Sequence, residues 1–229
     1  PNTGEVLAMA SRPNYNPNSY QTYTQEVLSR NLPIWMTYEP GSTMKITTLA
    51  ASLNENIVNL FEDRFYDAGH VNVDGATIHC WKAGGHGDQS YLDVVANSCN
   101  PGFVNLGLKL GKEKLFEYIN NFGFGKKTGI DLNGEAKGIM FDLDRVGNVE
   151  LATTAFGQGV SVTPIQQVTS VSASVNGGTL YKPYIVSKVT TANNKETLKS
   201  VEATKVRTVI REDTSKLVRY ALENVVAHG

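Results

Sequence analysis

Hydrophobic residues fall at helical spacing at Ile46, Leu49, Ala50 and Leu53, directly behind the turn-forming pair Pro40-Gly41. A helix can follow such a pair but does not readily contain it. The pattern therefore predicts a helix that carries Ser42 on its first turn and ends near Asn54-Glu55-Asn56. Upstream, Asn2-Thr3-Gly4 reads as a turn, Glu5 to Ala10 as a strand, and Ser11 to Asn18 as a loop. Downstream, Arg64 to Asp67, Val71 to Val73 and Thr77 to Cys80 read as short strands joined by glycine-containing turns, and Gly84 to Asp88 as a flexible loop. Leu92, Val94, Val95 and Ala96 form an apolar helical segment that leads to Ser98-Cys99-Asn100. Pro101-Gly102 opens an amphipathic helix through Leu110, and a second runs through Leu115, Tyr118 and Ile119. Phe122 to Gly138 is glycine-rich and loop-like. Pro164 suits a helix start, with Asn176-Gly177-Gly178 as its stop. Tyr181 to Val186 and Val201 to Ile210 read as strands around the turn Ala192-Asn193-Asn194, and a last helix is capped by Asp213. Helices and strands without a regular βαβ alternation predict an α+β fold.

Composition narrows the class. The 229 residues are 41% hydrophobic and 19% charged with net charge −1, an ordinary globular balance that can bury one large core or two small ones. No basic excess points to nucleic acid. No apolar run approaches a membrane span, and no signal peptide is visible. Residue 1 is a proline, and a hairpin turn at the first residues implies a partner strand upstream. The expectation is a piece of a longer protein, with any targeting or anchoring segment outside it.

Candidate chemistry begins with Ser42 and Lys45, i and i+3 on one helix face and within reach of each other. A serine hydroxyl is a poor nucleophile until a base takes its proton, and lysine serves only if burial or positive neighbours lower its pKa. The helix start also offers unpaired N–H groups to an oxyanion formed at Ser42. Alone, the pattern is a weak signal, and a capping serine with a solvated lysine is the usual reading of a lone match.

Ser42-x-x-Lys45 followed by Ser98-x-Asn100 resembles the start of the active-site set of penicillin-binding proteins and serine β-lactamases. Thr3 to Ser11, Tyr38 to Lys45, Cys80 to Gly87, Phe156 to Thr163 and Asn176-Gly177-Gly178 resemble the transpeptidase domain of class B penicillin-binding proteins. The Cys80 to Gly102 stretch is most similar to sporulation-type members. The resemblance implies an antiparallel sheet with an all-helical subdomain, incomplete in this chain: residues 1–229 would be part of one transpeptidase domain, without its anchor, pedestal and C-terminal strands. It implies a serine D-Ala-D-Ala transpeptidase that cross-links peptidoglycan stem peptides and is acylated by β-lactams. The protein would act at the extracytoplasmic face of the bacterial cell membrane beside a glycosyltransferase. Ser42 would be the nucleophile and Lys45 its base. Ser98 would relay a proton to the leaving amine, and Asn100 would position substrate and Lys45. Read without the family, Ser98 is a helix-end hydroxyl and Asn100 a turn residue. The family's third motif is Lys-Thr-Gly. Lys127-Thr128-Gly129 reads as a chance match, because the true motif would follow the helix at Asp213 to Ala227, beyond Gly229. The chain by itself is accordingly expected to be inactive.

A serine β-lactamase or β-lactam sensor is the alternative; hydrolysis needs a positioned water, and no motif assigns that task to Glu39 or Glu135. A catalytically silent wall-binding scaffold is the third reading.

The two cysteines, Cys80 and Cys99, bracket His86, and two thiolates with an imidazole suit tetrahedral zinc. A fourth ligand would come from Asp67, His70, His79, Asp88 or Asp93. The resemblance selects Asp67, because some class B relatives place a zinc beside this motif, and so implies Asp67, Cys80, His86 and Cys99. Four protein ligands leave no open position, so such a zinc is structural. A Cys80–Cys99 disulfide, or two buried free thiols with a polar His86, are the alternatives.

Overall fold

A computed structural model describes residues 1–228. Helices α1 (Gln25–Ser29) and α2 (Leu32–Trp35) lie in the polar stretch after the first loop. They precede α3 (Lys45–Asn54), α4 (Tyr91–Ala96), α5 (Asn100–Leu110) and α6 (Lys112–Asn121). Then come α7 (Asn148–Ala155), α8 (Pro164–Val175) and α9 (Glu212–His228). Strands β1 (Arg64–Asp67), β2 (His70–Val73), β3 (Ala76–His79) and β4 (Gly87–Ser90) lie between α3 and α4. Strands β5 (Thr179–Tyr181), β6 (Lys188–Thr190), β7 (Thr197–Ser200) and β8 (Lys205–Thr208) lie between α8 and α9. Among the described residues the strands form antiparallel pairs: β1 with β4, β2 with β3, β5 with β8 and β6 with β7.

Helix α3 is the centre of the packing, touching α5, α6, α8 and α9. The sequence pattern marks one apolar face, yet Thr47, Thr48 and Ser52 are buried as well. Their hydroxyls are satisfied: Thr47 Oγ1 meets Ser170 Oγ at 3.1 Å, Thr48 donates to Ala155 O at 2.8 Å, and Ser52 to Thr48 O at 2.9 Å. Around α3 the main core gathers Leu49, Phe103, Leu106, Leu115, Ile119, Phe122 and Phe124. Burying Leu, Ile and Phe side chains at about 1.5–3 kcal/mol each makes this the rigid support on which the site stands. A smaller cluster of Ile34, Ile130 and Ile165 holds Val6 and Met9 of the opening segment.

Several expectations are corrected. Glu5 to Ala10 is not a strand: only Glu5 pairs, in a parallel bridge with Tyr184 (Val6 N–H to Tyr184 O, 2.9 Å). Composition supplies β propensity, but a ladder needs a neighbour along its length. Within the stretch read as a loop at Gly84 to Asp88, Gly87 and Asp88 begin β4, where pairing with Arg64–Asp67 overrides a polar, glycine-bearing sequence. Of Tyr181 to Val186 only Tyr181 lies in a strand, as the last residue of β5, because Pro183 cannot continue a ladder, and of Val201 to Ile210 only Lys205–Thr208 pairs, as β8. The turn at Ala192–Asn194 instead joins β6 and β7. Ser42 lies on a 3₁₀ turn, Gly41–Thr43, immediately before α3 rather than in its first α turn. Helix α9 starts at Glu212, so Asp213 sits inside its first turn and accepts the Thr214 N–H at 2.7 Å.

Candidate active site and metal-ligand cluster

The nucleophile candidate is held by backbone. Tyr38 and Val162 exchange hydrogen bonds of 3.0 and 2.9 Å, and Gly41 N–H donates to Gly157 O at 2.9 Å. Gly157 has φ +86°, and a Cβ there would collide with the Gly41 backbone, so only glycine allows this approach. Gln167 Nε2 donates to Thr43 O at 3.1 Å and ties the far side of the serine turn to α8. Ser42 is left exposed at the surface of this frame.

Lys45, the first residue of α3, is only 4% exposed. Its Nζ reaches Ser98 O at 2.8 Å, Ser98 Oγ at 2.9 Å and Asn100 Oδ1 at 2.6 Å, and stands 5.4 Å from the Phe103 ring centre. Ser98 Oγ lies 3.3 Å from Ser42 Oγ. The sequence expectation of Lys45 beside Ser42 is thus refined: the hydroxyl of Ser98 stands between them as the link. Burial lowers the Lys45 ammonium to about 8, against a weaker upward pull from Cys99 and Cys80. A lysine so placed is neutral often enough to act as a base near neutrality.

Helix chemistry delivers Ser98 and Asn100. Ser90 and Asp93 form a capping box that starts α4, and Cys99 is the N-cap residue of α5. Between the helices Ser98 adopts φ +48°, a left-handed conformation costly for a residue with a Cβ. That turn brings Ser98 O, Ser98 Oγ and Asn100 Oδ1 together on one amine. Asn100 Nδ2 donates to His79 O at 3.4 Å.

Behind the turn, Asp67, Cys80, His86 and Cys99 gather their ligand atoms within 4.8 Å of one another. His86 Nδ1 and Asp67 Oδ2 are 2.8 Å apart, Cys80 Sγ and His86 Nδ1 3.3 Å, and Cys99 Sγ donates to Asp67 Oδ2 at 3.3 Å. The β1–β4 register, Asp67 opposite Gly87, delivers this meeting. Gly85 (φ +78°) lets the loop lie directly on the backbone of Asp67 and Gly69. Of the other candidate ligands, His70 and His79 face each other across β2–β3, Asp88 pairs with Arg64 at 2.8 Å, and Asp93 serves the capping box. The two thiols are free rather than joined. Burial pushes the Cys99 thiol up to about 12 and raises Cys80 as well. A carboxylate, an imidazole and two thiols are the donor types a tetrahedral zinc site uses, and binding would displace both thiol protons.

Lys127-Thr128-Gly129 belongs elsewhere. The buried Glu135 carboxylate accepts the Thr128 N–H at 2.6 Å and the Gly129 N–H at 3.0 Å, and so holds that loop. Glu39 is engaged too, accepting the Gly159 N–H at 3.0 Å. Two contributors carry no signal in the sequence pattern, Phe103 beneath Lys45 and Trp81 beside the Ser98 turn. Phe103 is placed by core packing, and the exposed Trp81 by a hydrogen bond from its indole to Asn97 O.

Comparison with known proteins gives concordant results. The profile of the penicillin binding protein transpeptidase domain matches residues 1–229. The chain is 63% identical over 229 residues to stage V sporulation protein D of Bacillus subtilis, covering all of this chain and 35% of that protein. It is 33% identical over 188 residues to the peptidoglycan D,D-transpeptidase FtsI of Escherichia coli K12, covering 82% of this chain and 31% of that one. The chain thus spans about a third of the length of these curated relatives. Among solved structures, the D,D-transpeptidase domain of a peptidoglycan glycosyltransferase from Eggerthella lenta superposes with TM-score 0.92 at 27% identity, covering 100% of this chain and 60% of that one. Penicillin binding protein 3 of Mycobacterium tuberculosis, complexed with aztreonam, superposes with TM-score 0.88 at 26% identity, covering 98% and 49%.

Proposed function

Because the chain belongs to the penicillin-binding protein transpeptidase family, we propose that its complete protein is a peptidoglycan D,D-transpeptidase working through an acyl-enzyme on Ser42. The observation that carries this reading is the chain of polar atoms Ser42 Oγ, Ser98 Oγ, Lys45 Nζ, with Asn100 Oδ1 fixing the amine. Neutral Lys45 keeps its two N–H groups on Ser98 O and Asn100 Oδ1 and offers its lone pair to the Ser98 hydroxyl. Ser98 Oγ then accepts the Ser42 proton while passing its own to Lys45. Ser42 Oγ attacks the carbonyl of the penultimate D-alanine of a stem peptide, and the Ser42 N–H at the start of the helical run opposes the negative charge. The C–N bond breaks as Ser98 returns a proton to the departing D-alanine amine, leaving an ester on Ser42. An amine on a neighbouring strand attacks that ester, forms the cross-link and restores the serine.

A β-lactam would enter the same path as a cyclic donor and remain on Ser42; the M. tuberculosis relative was solved with aztreonam and with ampicillin. The high identity to a stage V sporulation protein supports a sporulation-stage role. No helix among the described residues is long and apolar enough to cross a membrane. In this reading an anchor outside these residues holds the domain at the extracytoplasmic face beside a glycosyltransferase. The Asp67–Cys80–His86–Cys99 cluster would hold a structural zinc, supported by its donor set and spacing. With four protein ligands, the ion would brace the turn without touching substrate. The chain's Glu39 and Glu135 are both committed to backbone N–H groups, which disfavours the hydrolase alternative.

A chromogenic cephalosporin separates the outcomes. The complete protein is expected to release about one equivalent of chromophore and then stop, as a stable acyl-enzyme does. Continued turnover would favour a β-lactamase, and no release would favour a silent scaffold.

A further inference from the structure

Residues 79–81 run beside the catalytic turn and grip it at both ends. At one end Asn100 Nδ2 donates to His79 O; at the other Trp81 Nε1 donates to Asn97 O at 2.7 Å. Asn97 is the C-cap residue of α4, so its carbonyl has no place in the helix ladder and the indole supplies the missing donor. Asn97 C=O and Ser98 N–H belong to one peptide plane, and any rotation of that plane swings Ser98. The N–H end of that plane is held on the inner side of the turn, Ser98 N–H on Val95 O at 3.0 Å with Cys99 N–H on Val94 O at 3.0 Å beside it, and the Trp81 indole holds its carbonyl end.

Trp81 is 67% exposed, so burial does not account for its place. Its orientation is fixed by the indole hydrogen bond and by the His86 ring, which meets it edge-on at 5.3 Å between centres. His86 Nε2, buried and without a hydrogen-bond partner, belongs to the ring that Trp81 covers.

We propose that Trp81 is a positioning residue for acylation. Its indole N–H fixes the Asn97–Ser98 peptide plane and thereby aims Ser98 O and Oγ at Lys45 and Ser42. The left-handed Ser98 makes such a clamp necessary, because a strained residue relaxes unless its surroundings over-determine it. This inference rests on the acyl-transfer reading of Ser42.

The test uses the complete reading frame with Trp81→Phe, which keeps an aromatic ring over His86 and removes only the donor. Penicillin acylation is followed over a range of concentrations, so that the pre-acylation dissociation constant and the acylation rate constant are read separately. The rate constant is expected to fall roughly three- to tenfold, the worth of one hydrogen bond, with the dissociation constant, the melting temperature and the titratable fraction of active sites unchanged. An unchanged rate constant would overturn the proposal. So would a change confined to the dissociation constant, which would make Trp81 a ligand contact, or a slower rate explained by a lowered melting temperature. Failure of the wild-type protein to acylate, or undiminished acylation of Ser42→Ala, would instead count against the acyl-transfer reading itself.

Discussion

Lys45 is where sequence and environment have to agree for the chemistry to run. Burial lowers its pKa to about 8, and only the neutral amine accepts a proton. The neutral fraction therefore grows about tenfold per unit of pH below that value and saturates above it. The acylation rate constant of the complete protein is expected to rise through pH 6 and 7 and to level off above about 8, measured with a penicillin under single-turnover conditions. A rate flat from pH 6 to 9 would assign the base elsewhere. The i and i+3 spacing suggested Ser42 and Lys45 as partners, and the structure relates them through the Ser98 hydroxyl rather than by direct contact. Ser98 was named through the resemblance, but its place between Ser42 and Lys45 was not legible, nor were the roles of Phe103 and Trp81, since these meetings join segments far apart in the chain.

At the scale of elements, the α4–turn–α5 unit presents Ser98 and Asn100, the proposed catalytic partners of Lys45, and the β1–β4 pair sets Asp67 against the loop that carries His86. The apolar spacing of the main helices could be read directly, because burial imposes a period of about 3.6 residues on a helix. Strand β4 could not, because Gly87-Asp88-Gln89-Ser90 has a turn's composition and becomes a strand only by pairing with Arg64–Asp67. That pairing is also what brings His86 to Asp67. If zinc occupies the cluster, it stabilises the folded state by mass action, and a chelator should lower the melting temperature and slow acylation. Cys80→Ser, His86→Ala and Cys99→Ser should each reproduce both effects. Lys127→Ala, in the loop held by Glu135, should leave acylation unchanged. Elemental analysis finding no zinc, or mass spectrometry finding Cys80 joined to Cys99, would contradict the metal assignment.

For the whole molecule, the main core is dense around α3, while other faces carry bare apolar side chains. Leu7 is 88% exposed, Val168 on α8 61%, and Val226 on α9 90%. Glu5 to Ala10 and α8 also flank an apolar groove of about 510 Å³. Apolar surface of this kind favours association, so residues 1–229 produced alone should form oligomers or aggregates by size-exclusion chromatography with light scattering. A monomer with a cooperative melting transition would show that these surfaces are tolerated. The α+β class followed from the mix of elements, but the strand partners did not, because ladder pairing is decided over distances that local composition does not record. Acyl transfer through Ser42 is tested by peptide mapping of the complete protein after reaction with benzylpenicillin. A penicilloyl mass confined to the peptide that contains Ser42, and absent from the Ser42→Ala protein, is the predicted result. An adduct on another residue, or none in a folded sample, would contradict it.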